Sequence, residues 1–270
     1  MELNEIKIVD EAVKFDALIR KTGIKYIFRG HSCEAFHLIP SVEHIGSKAD
    51  EQHNFEKFKN LLEKKGYFSQ PLIHNDFRTL GLAQHIQYCP TRLLDWTSNI
   101  LIALFFACED KEKYNQDGVI WSFLLPHDND SIWLNTCEEN TKSPFSFNEF
   151  KLFICGSFVD DFRISLDEKN IQLGNSRDMV QRSVMTLHPK ENDNFRNLED
   201  LAQQYNLKKI LIPKEYKKSM LDVLAKSPHW VCKETLFEGK SVRELRSEEK
   251  WREIIAKNLI DTVMQKTINK

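Results

Sequence analysis

Several common signatures are missing from this sequence, and each absence narrows its class. The six cysteines (Cys33, Cys89, Cys108, Cys137, Cys155 and Cys232) include no C-x-x-C pair, and no H-E-x-x-H string occurs. Neither a zinc site nor a redox dithiol is indicated, and no metal is expected. No signal peptide is read at the start, so the cysteines are expected as reduced, buried thiols of a cytoplasmic protein. No apolar run reaches the roughly 18 residues that a membrane span requires. The most apolar stretch, Ile100 to Cys108, stops at Glu109-Asp110-Lys111. Charge of one sign is missing too: 38 basic residues stand against 40 acidic ones, a net charge of −2. No global field therefore draws the chain to nucleic acid or to a membrane surface. The absence of G-x-G-x-x-G and G-x-x-x-x-G-K-[ST] removes the usual dinucleotide and P-loop fingerprints, and the absence of G-x-S-x-G removes a hydrolase elbow.

What is present is ample core material. The 270 residues are 41% hydrophobic and 29% charged, with eighteen Phe. That supports a single domain over 1–270 with a core at about 24–245, an N-terminal helix and a C-terminal closing helix. Apolar spacing predicts helices at 9–20, 50–65, 76–88, 100–108 and 214–226, a short one at 198–205, and one starting at Ser247. Strands are predicted at 24–29, 93–96, 118–125 and 208–213, and the segment 177–187 ends in strand-like alternation. Residues 126–176 show no clean period and are expected as loops and short helices. Helices and strands are interspersed without strict alternation. That favours an α+β fold with a mixed or split β-sheet core and surrounding helices.

The chemistry-bearing residues cluster. Tyr26-Ile27-Phe28-Arg29-Gly30-His31 reads as a strand ending in an Arg-Gly turn, where Gly30 allows a turn or a close approach to a ligand. Leu82-Ala83-Gln84-His85 and Arg92-Leu93-Leu94-Asp95-Trp96-Thr97-Ser98 place a base, an acid, a ring and two hydroxyls beside a buried helix. Polar groups there need partners or work. Arg29 suits a phosphate or carboxylate, or else a structural ion pair with Asp95. Asp95 is alternatively an orienting carboxylate for Arg92 or Arg29. Thr97, Ser98 and Asn99 are all competent N-caps; Thr97 and Ser98 are also placed to bond a ribose or phosphate at the following helix. Trp96 is a stacking platform or simply core. The Lys-rich stretch at 207–226 reads as a solvated face, with nucleic-acid contact as the sharper alternative.

Phe28-Arg29-Gly30, Leu38-Ile39-Pro40-Ser41, Leu82-Ala83-Gln84-His85, Thr91-Arg92-Leu93-Leu94-Asp95-Trp96-Thr97 and Ala103-Leu104-Phe105-Phe106-Ala107 together resemble the FRG-domain family. Arg177, Gln181 and Ile210-Leu211-Ile212-Pro213 extend the resemblance to about residue 245. His31 stands where the family often has Gln, and Ser183 where Gly is common. A more distant resemblance is to ADP-ribosyltransferases, through the order Arg29, Thr97, Gln181. It implies an ADP-ribosyltransferase-like fold and a site shared by three distant segments. It also implies NAD as substrate, an RNA or protein acceptor, and the role of a toxin or anti-phage effector with an antitoxin protein as partner. In that reading Arg29, Gly30, His31, Trp96, Thr97 and Ser98 bind NAD. Arg29, Gln181 and Asp95 act on the ribosyl centre, and His85 supplies a base. The alternative is a non-catalytic module binding a nucleotide or nucleic acid.

Overall fold

A computed structural model describes residues 5–22, 26–44, 51–64, 75–85, 88–124, 143–147, 151–153, 162–166, 169–173, 183–191, 194–195, 197–201, 206–226 and 229–237. The elements in chain order begin with α1 (Glu5–Thr22), β1 (Tyr26–His31), α2 (Ser41–His44), α3 (Glu51–Lys64) and α4 (Asp76–His85). They continue with β2 (Leu93–Thr97), α5 (Ile100–Cys108), β3 (Gly118–Leu124), β4 (Lys151–Phe153), β5 (Phe162–Leu166) and β6 (Lys169–Leu173). Last come β7 (Ser183–Leu187), β8 (Lys190–Glu191), β9 (Asn194–Phe195), β10 (Leu207–Ile212), α6 (Lys217–Leu224) and α7 (Lys233–Leu236).

The architecture is α+β. Six strands form one sheet in the order β10-β3-β1-β2-β7-β4, with two separate hairpins, β5-β6 and β8-β9. Every described strand pair is antiparallel, which corrects the expectation of a mixed sheet. The sheet narrows at its middle. β1 pairs with β3 along its whole length, from Tyr26↔Leu124 to His31↔Val119, but meets β2 at one pair, Phe28↔Thr97. Strands that diverge this way leave backbone carbonyls without ladder partners, and another donor must satisfy them.

The helix α5 explains the middle of the fold. Asn99, not Thr97 or Ser98, caps it: the Asn99 side chain accepts from the Leu101 N–H at 3.0 Å. Thr97 Oγ1 in turn accepts from the Asn99 N–H at 3.1 Å. The helix is apolar on all sides, so burial, rather than one amphipathic face, drives its docking. It lies across β1 and β3, and α1 and α6 pack beside it in a core that includes Val9, Phe28, Ala103, Ile120, Ile212 and Met220. Gly30 makes the closest approach. A Cβ there would lie 1.9 Å from the Ala103 carbonyl oxygen. β1 therefore runs straight through Gly30 to His31 instead of turning at it, and the missing side chain makes room for a helix. This corrects the reading of Gly30 as a ligand-approach glycine.

Strand alternation then assigns the faces. Phe28, Gly30 and their cross-strand neighbour Thr97 face α5. Ile27, Arg29 and His31 face the other way. On that side Ile27, Leu94, Trp96, Val119, Trp121, Phe123, Val184 and Leu207 form a second core, to which Leu38 and Leu198 belong. A third core joins α3 and α4 to β2 and β7 through Phe55, Phe58, Phe77, Leu80, Leu93 and Met185. Each large side chain buried there is worth about 1.5–3 kcal/mol relative to exposure.

Two expectations change. Residues 126–176 contain strands β4, β5 and β6 rather than loops and short helices alone. Phe162, Ile164 and Leu166 do alternate with polar residues, but the run is short and its surroundings are rich in scattered aromatics. Residues 198–205 hold only a 3-10 turn at Leu198–Leu201 within the described residues. The helix expected from Ser247 lies outside the described residues.

Candidate functional site

Arg29 is the centre of the face that looks away from α5. Its Nε donates to His31 Nε2 at 2.8 Å, and its Nη1 donates to the backbone carbonyl of Asp95 at 2.5 Å. That carbonyl belongs to the part of β2 beyond the single β1–β2 pair, so the guanidinium satisfies an acceptor at the split. Among the described residues, no carboxylate hydrogen-bonds Arg29, and its other guanidinium N–H groups have no partner. The residue is partly exposed. Burial pulls its pKa down and the Asp95 charge opposes this. A guanidinium stays protonated regardless, so the site carries a cation without a bonded counter-charge.

The groups around it are neutral. His31 Nε2 accepts from Arg29, so Nδ1 carries the proton and donates to the Phe36 carbonyl at 3.2 Å. Burial, followed by the Arg29 charge, pulls His31 down to about 3. His188 behaves likewise. Trp96 Nε1 donates to Thr186 Oγ1 at 3.0 Å, and Thr186 Oγ1 and His188 Nε2 share a hydrogen bond at 2.9 Å. Burial and then Arg29 bring His188 to about 3. Neither ring adds positive charge at neutral pH, and neither neutralises the guanidinium.

The Asp95 side chain works on the other side of β2. Its Oδ2 accepts from Gln84 Nε2 at 3.0 Å, and Gln84 Oε1 accepts from Thr91 Oγ1 at 2.6 Å. Asp95 is exposed and Gln84 partly so. Asp95 is therefore not a partner for Arg92. Glu51 of α3 takes that role: it accepts from Arg92 Nε at 3.0 Å and from the Arg92 backbone N–H at 2.6 Å. The pair is buried, and the Arg92 guanidinium also lies over the rings of Phe145 and Phe195 at 4.8 and 5.6 Å. Burial pushes the Glu51 carboxyl up while Arg92 opposes it.

The expected constellation is therefore partly assembled. Arg29 and His31 share a face and a hydrogen bond. Thr97 is on the opposite face from Arg29 by register, buried at the start of α5, and Ser98 is exposed. Trp96 is on the Arg29 face but only 2% exposed, its N–H committed to Thr186. It is core, and no ring face is left for stacking. His85 ends α4, with its side chain outside the described residues, as are Arg177 and Gln181 altogether. Cys33, Cys89, Cys108 and Cys232 are buried free thiols, with Cys89 and Cys108 pushed up to about 11 and about 12 by burial. Cys137 and Cys155 are outside the described residues. Among the described residues no cluster of three or more His, Cys, Asp or Glu forms a ligand set, and no helix is long and apolar enough to cross a membrane.

Sequence reasoning missed three contributors. His188 sits just past a strand, where nothing in its neighbours signals a role. Phe36 is 43% exposed, its ring 6.1 Å from that of His31. Lys217, inside the stretch read as a solvated face, is fully buried. Its Nζ donates to the Ser32 and Lys113 carbonyls at 2.5 and 3.0 Å. It pins the chain just beyond Arg29-Gly30-His31, and burial lowers its pKa.

No curated protein and no solved structure matches the chain. The family model described as FRG domain matches residues 24–116, short of the 245 to which the sequence resemblance extends. The chain thus carries an FRG domain, and the matched span holds Arg29, His31, Glu51, Gln84, Arg92 and Asp95.

Proposed function

We propose that the FRG domain binds a phosphate-bearing nucleotide at Arg29 and uses NAD in an ADP-ribosyl transfer, as an effector acting on a protein or RNA. One observation carries this reading. Arg29 is a partly exposed cation, fixed by two neutral acceptors, and among the described residues its other guanidinium donors meet no partner. A structural arginine would be expected to meet a carboxylate, as Arg92 does. Spare donors on a positioned guanidinium match the oxygens of a phosphate or carboxylate.

In the transfer, the bond between nicotinamide and the ribose C1′ breaks, and nicotinamide leaves with the electron pair. A nucleophilic atom of the acceptor forms the new bond to C1′ and gives up its proton. Arg29 anchors the anionic part of NAD. Phe36, exposed beside His31, is a flat surface for a ring in place of the buried Trp96. Gln181 orients the acceptor and His85 accepts the proton, roles carried over from the family resemblance. NAD is a substrate here and no metal is required.

One finding favours a second reading, nucleotide binding without turnover. Thr97 faces away from Arg29, and the Asp95 carboxylate is engaged with Gln84. Incubation with NAD and cell extract separates the two. Transfer yields free nicotinamide and an ADP-ribose mass increment on a protein or RNA, both lost in Arg29→Gln. Binding of intact NAD with neither product supports the module, and absence of binding removes both.

A further inference from the structure

The outer edge of β10 takes no part in the site described above. β10 ends the six-stranded sheet and pairs with β3 from Leu207↔Phe123 to Ile212↔Gly118, so β3 separates it from β1. Among the described residues, no element besides β3 hydrogen-bonds the backbone of Lys208 to Leu211. A strand edge in that state presents a row of unpaired N–H and C=O groups, a template for another extended chain.

The side chains along this edge form a pattern. Lys208, Lys209, Ile210 and Leu211 are exposed in succession, the two aliphatic ones to 42% and 53%. Register sorts them by face. Ile210 pairs with Ile120, which pairs with Gly30, so Ile210 and Lys208 lie on the α5 side. Leu211 pairs with Val119, which pairs with His31, so Leu211 and Lys209 lie on the Arg29 side. Each face of the edge therefore carries one cation followed by one aliphatic side chain. Lys209 Nζ donates to the Glu34 carbonyl at 3.3 Å, an uncharged acceptor, and among the described residues neither lysine meets a carboxylate. Lysines on an edge blunt it against unwanted strands. Blunting does not call for two exposed aliphatic side chains beside them.

We infer that the β10 edge is a docking surface for an extended segment of a partner protein, added as an antiparallel strand, in which two aliphatic residues are followed by two acidic ones. Running antiparallel, such a segment sets its aliphatic residues against Leu211 and Ile210, and its carboxylates against Lys209 and Lys208. Backbone hydrogen bonds supply the affinity and these four cross-strand pairs the selection. The pattern disfavours a second copy of this chain. Centred antiparallel pairing of two β10 strands opposes Lys209 to Ile210 and Lys208 to Leu211, and a slide of one residue toward the lysines brings two Lys209 ammoniums face to face. It also disfavours nucleic acid, to which aliphatic side chains offer no stacking surface. The inference stands apart from the nucleotide reading and survives its failure.

The test is titration of the full chain, by calorimetry and amide hydrogen exchange, with a blocked peptide of about ten residues whose centre is two valines followed by two glutamates. Binding should slow exchange at residues 208–211 and weaken as salt is added. A peptide of the same composition with valine and glutamate in alternation mismatches two of the four pairs and should bind about tenfold more weakly. Lys208→Glu combined with Lys209→Glu changes exposed side chains only, so the fold is retained. It should reverse the preference, toward a peptide with two valines followed by two lysines. Absence of binding at about 1 mM peptide, or binding without protection at residues 208–211, overturns the inference. Equal affinity for the two acidic peptides overturns it, as does unchanged affinity in the charge-reversed variant. Single-stranded RNA that protects the same amides more strongly than the peptide, or a dimer in light scattering that Leu211→Ser disperses, assigns the edge to another occupant and overturns it too.

Discussion

Arg92 and Arg29 are both withdrawn from water, but their surroundings differ in kind. Arg92 meets the Glu51 carboxylate and two Phe rings, and the pair is closed off from solvent. Arg29 meets an imidazole and a backbone carbonyl, both uncharged, and keeps some exposure. The first arrangement is complete in itself: it locks α3 to the start of β2. The second leaves a positive charge with donors to spare, which is what a receptor for an anion requires. The difference teaches that burial of an arginine is not the informative quantity; the charge of its partners is.

Both arrangements depend on the strands being held in place, and the largest predicted effect tests that. Gly30→Ala drives a methyl into the Ala103 carbonyl. Helix and strand backbones cannot give way cheaply, so destabilisation beyond about 3 kcal/mol is expected in urea titration. Next is the closed pair. Glu51→Gln leaves Arg92 buried without its counter-charge and should cost about 3–5 kcal/mol in the same assay. A loss under about 1 kcal/mol would show that Arg92 is not dependent on Glu51, and the contrast between the arginines would fail.

The neutral partners of Arg29 give a pH signature. His31 and His188 are held near 3 in the folded chain, against 6.5 ordinarily. The unfolded chain therefore takes up more protons below pH 6.5. The stability contribution is full above that pH and is lost as pH falls toward 3, by up to about 1.4 kcal/mol per pH unit for each histidine. Urea midpoints at pH 7 and pH 5 measure it, and His31→Gln should remove about half the slope. Smallest in stability is Arg29→Gln itself, which gives up hydrogen bonds to neutral acceptors worth about 1–2 kcal/mol together.

Much of the scaffold was legible in the sequence. The apolar run of α5 gave a buried helix, and the alternating strands β3 and β10 gave sheet members within a residue or two. The β5-β6 hairpin was not legible, because each strand is short and flanked by irregular aromatic segments. Gly30 was identified but misassigned: a glycine that admits a helix and one that admits a ligand look the same in sequence. The site divided in the same way. Arg29 and His31 were legible from their motif. The Glu51–Arg92 pair was not, because it joins segments far apart in sequence and an amphipathic helix gives no sign of which acid turns inward. Thr97 was assigned to the Arg29 cleft because sequence order does not tell which face of a sheet a residue occupies once its partner register is unknown. His188 and Lys217 owe their roles to tertiary packing alone.

The most direct test of the central claim is NAD titration of wild type, Arg29→Gln and Arg92→Lys by calorimetry, with urea unfolding of the same samples. The account predicts that Arg29→Gln stays folded and loses NAD binding, whereas Arg92→Lys loses stability and binds NAD to whatever extent it remains folded. An Arg29→Gln protein that binds NAD as tightly as wild type would contradict it.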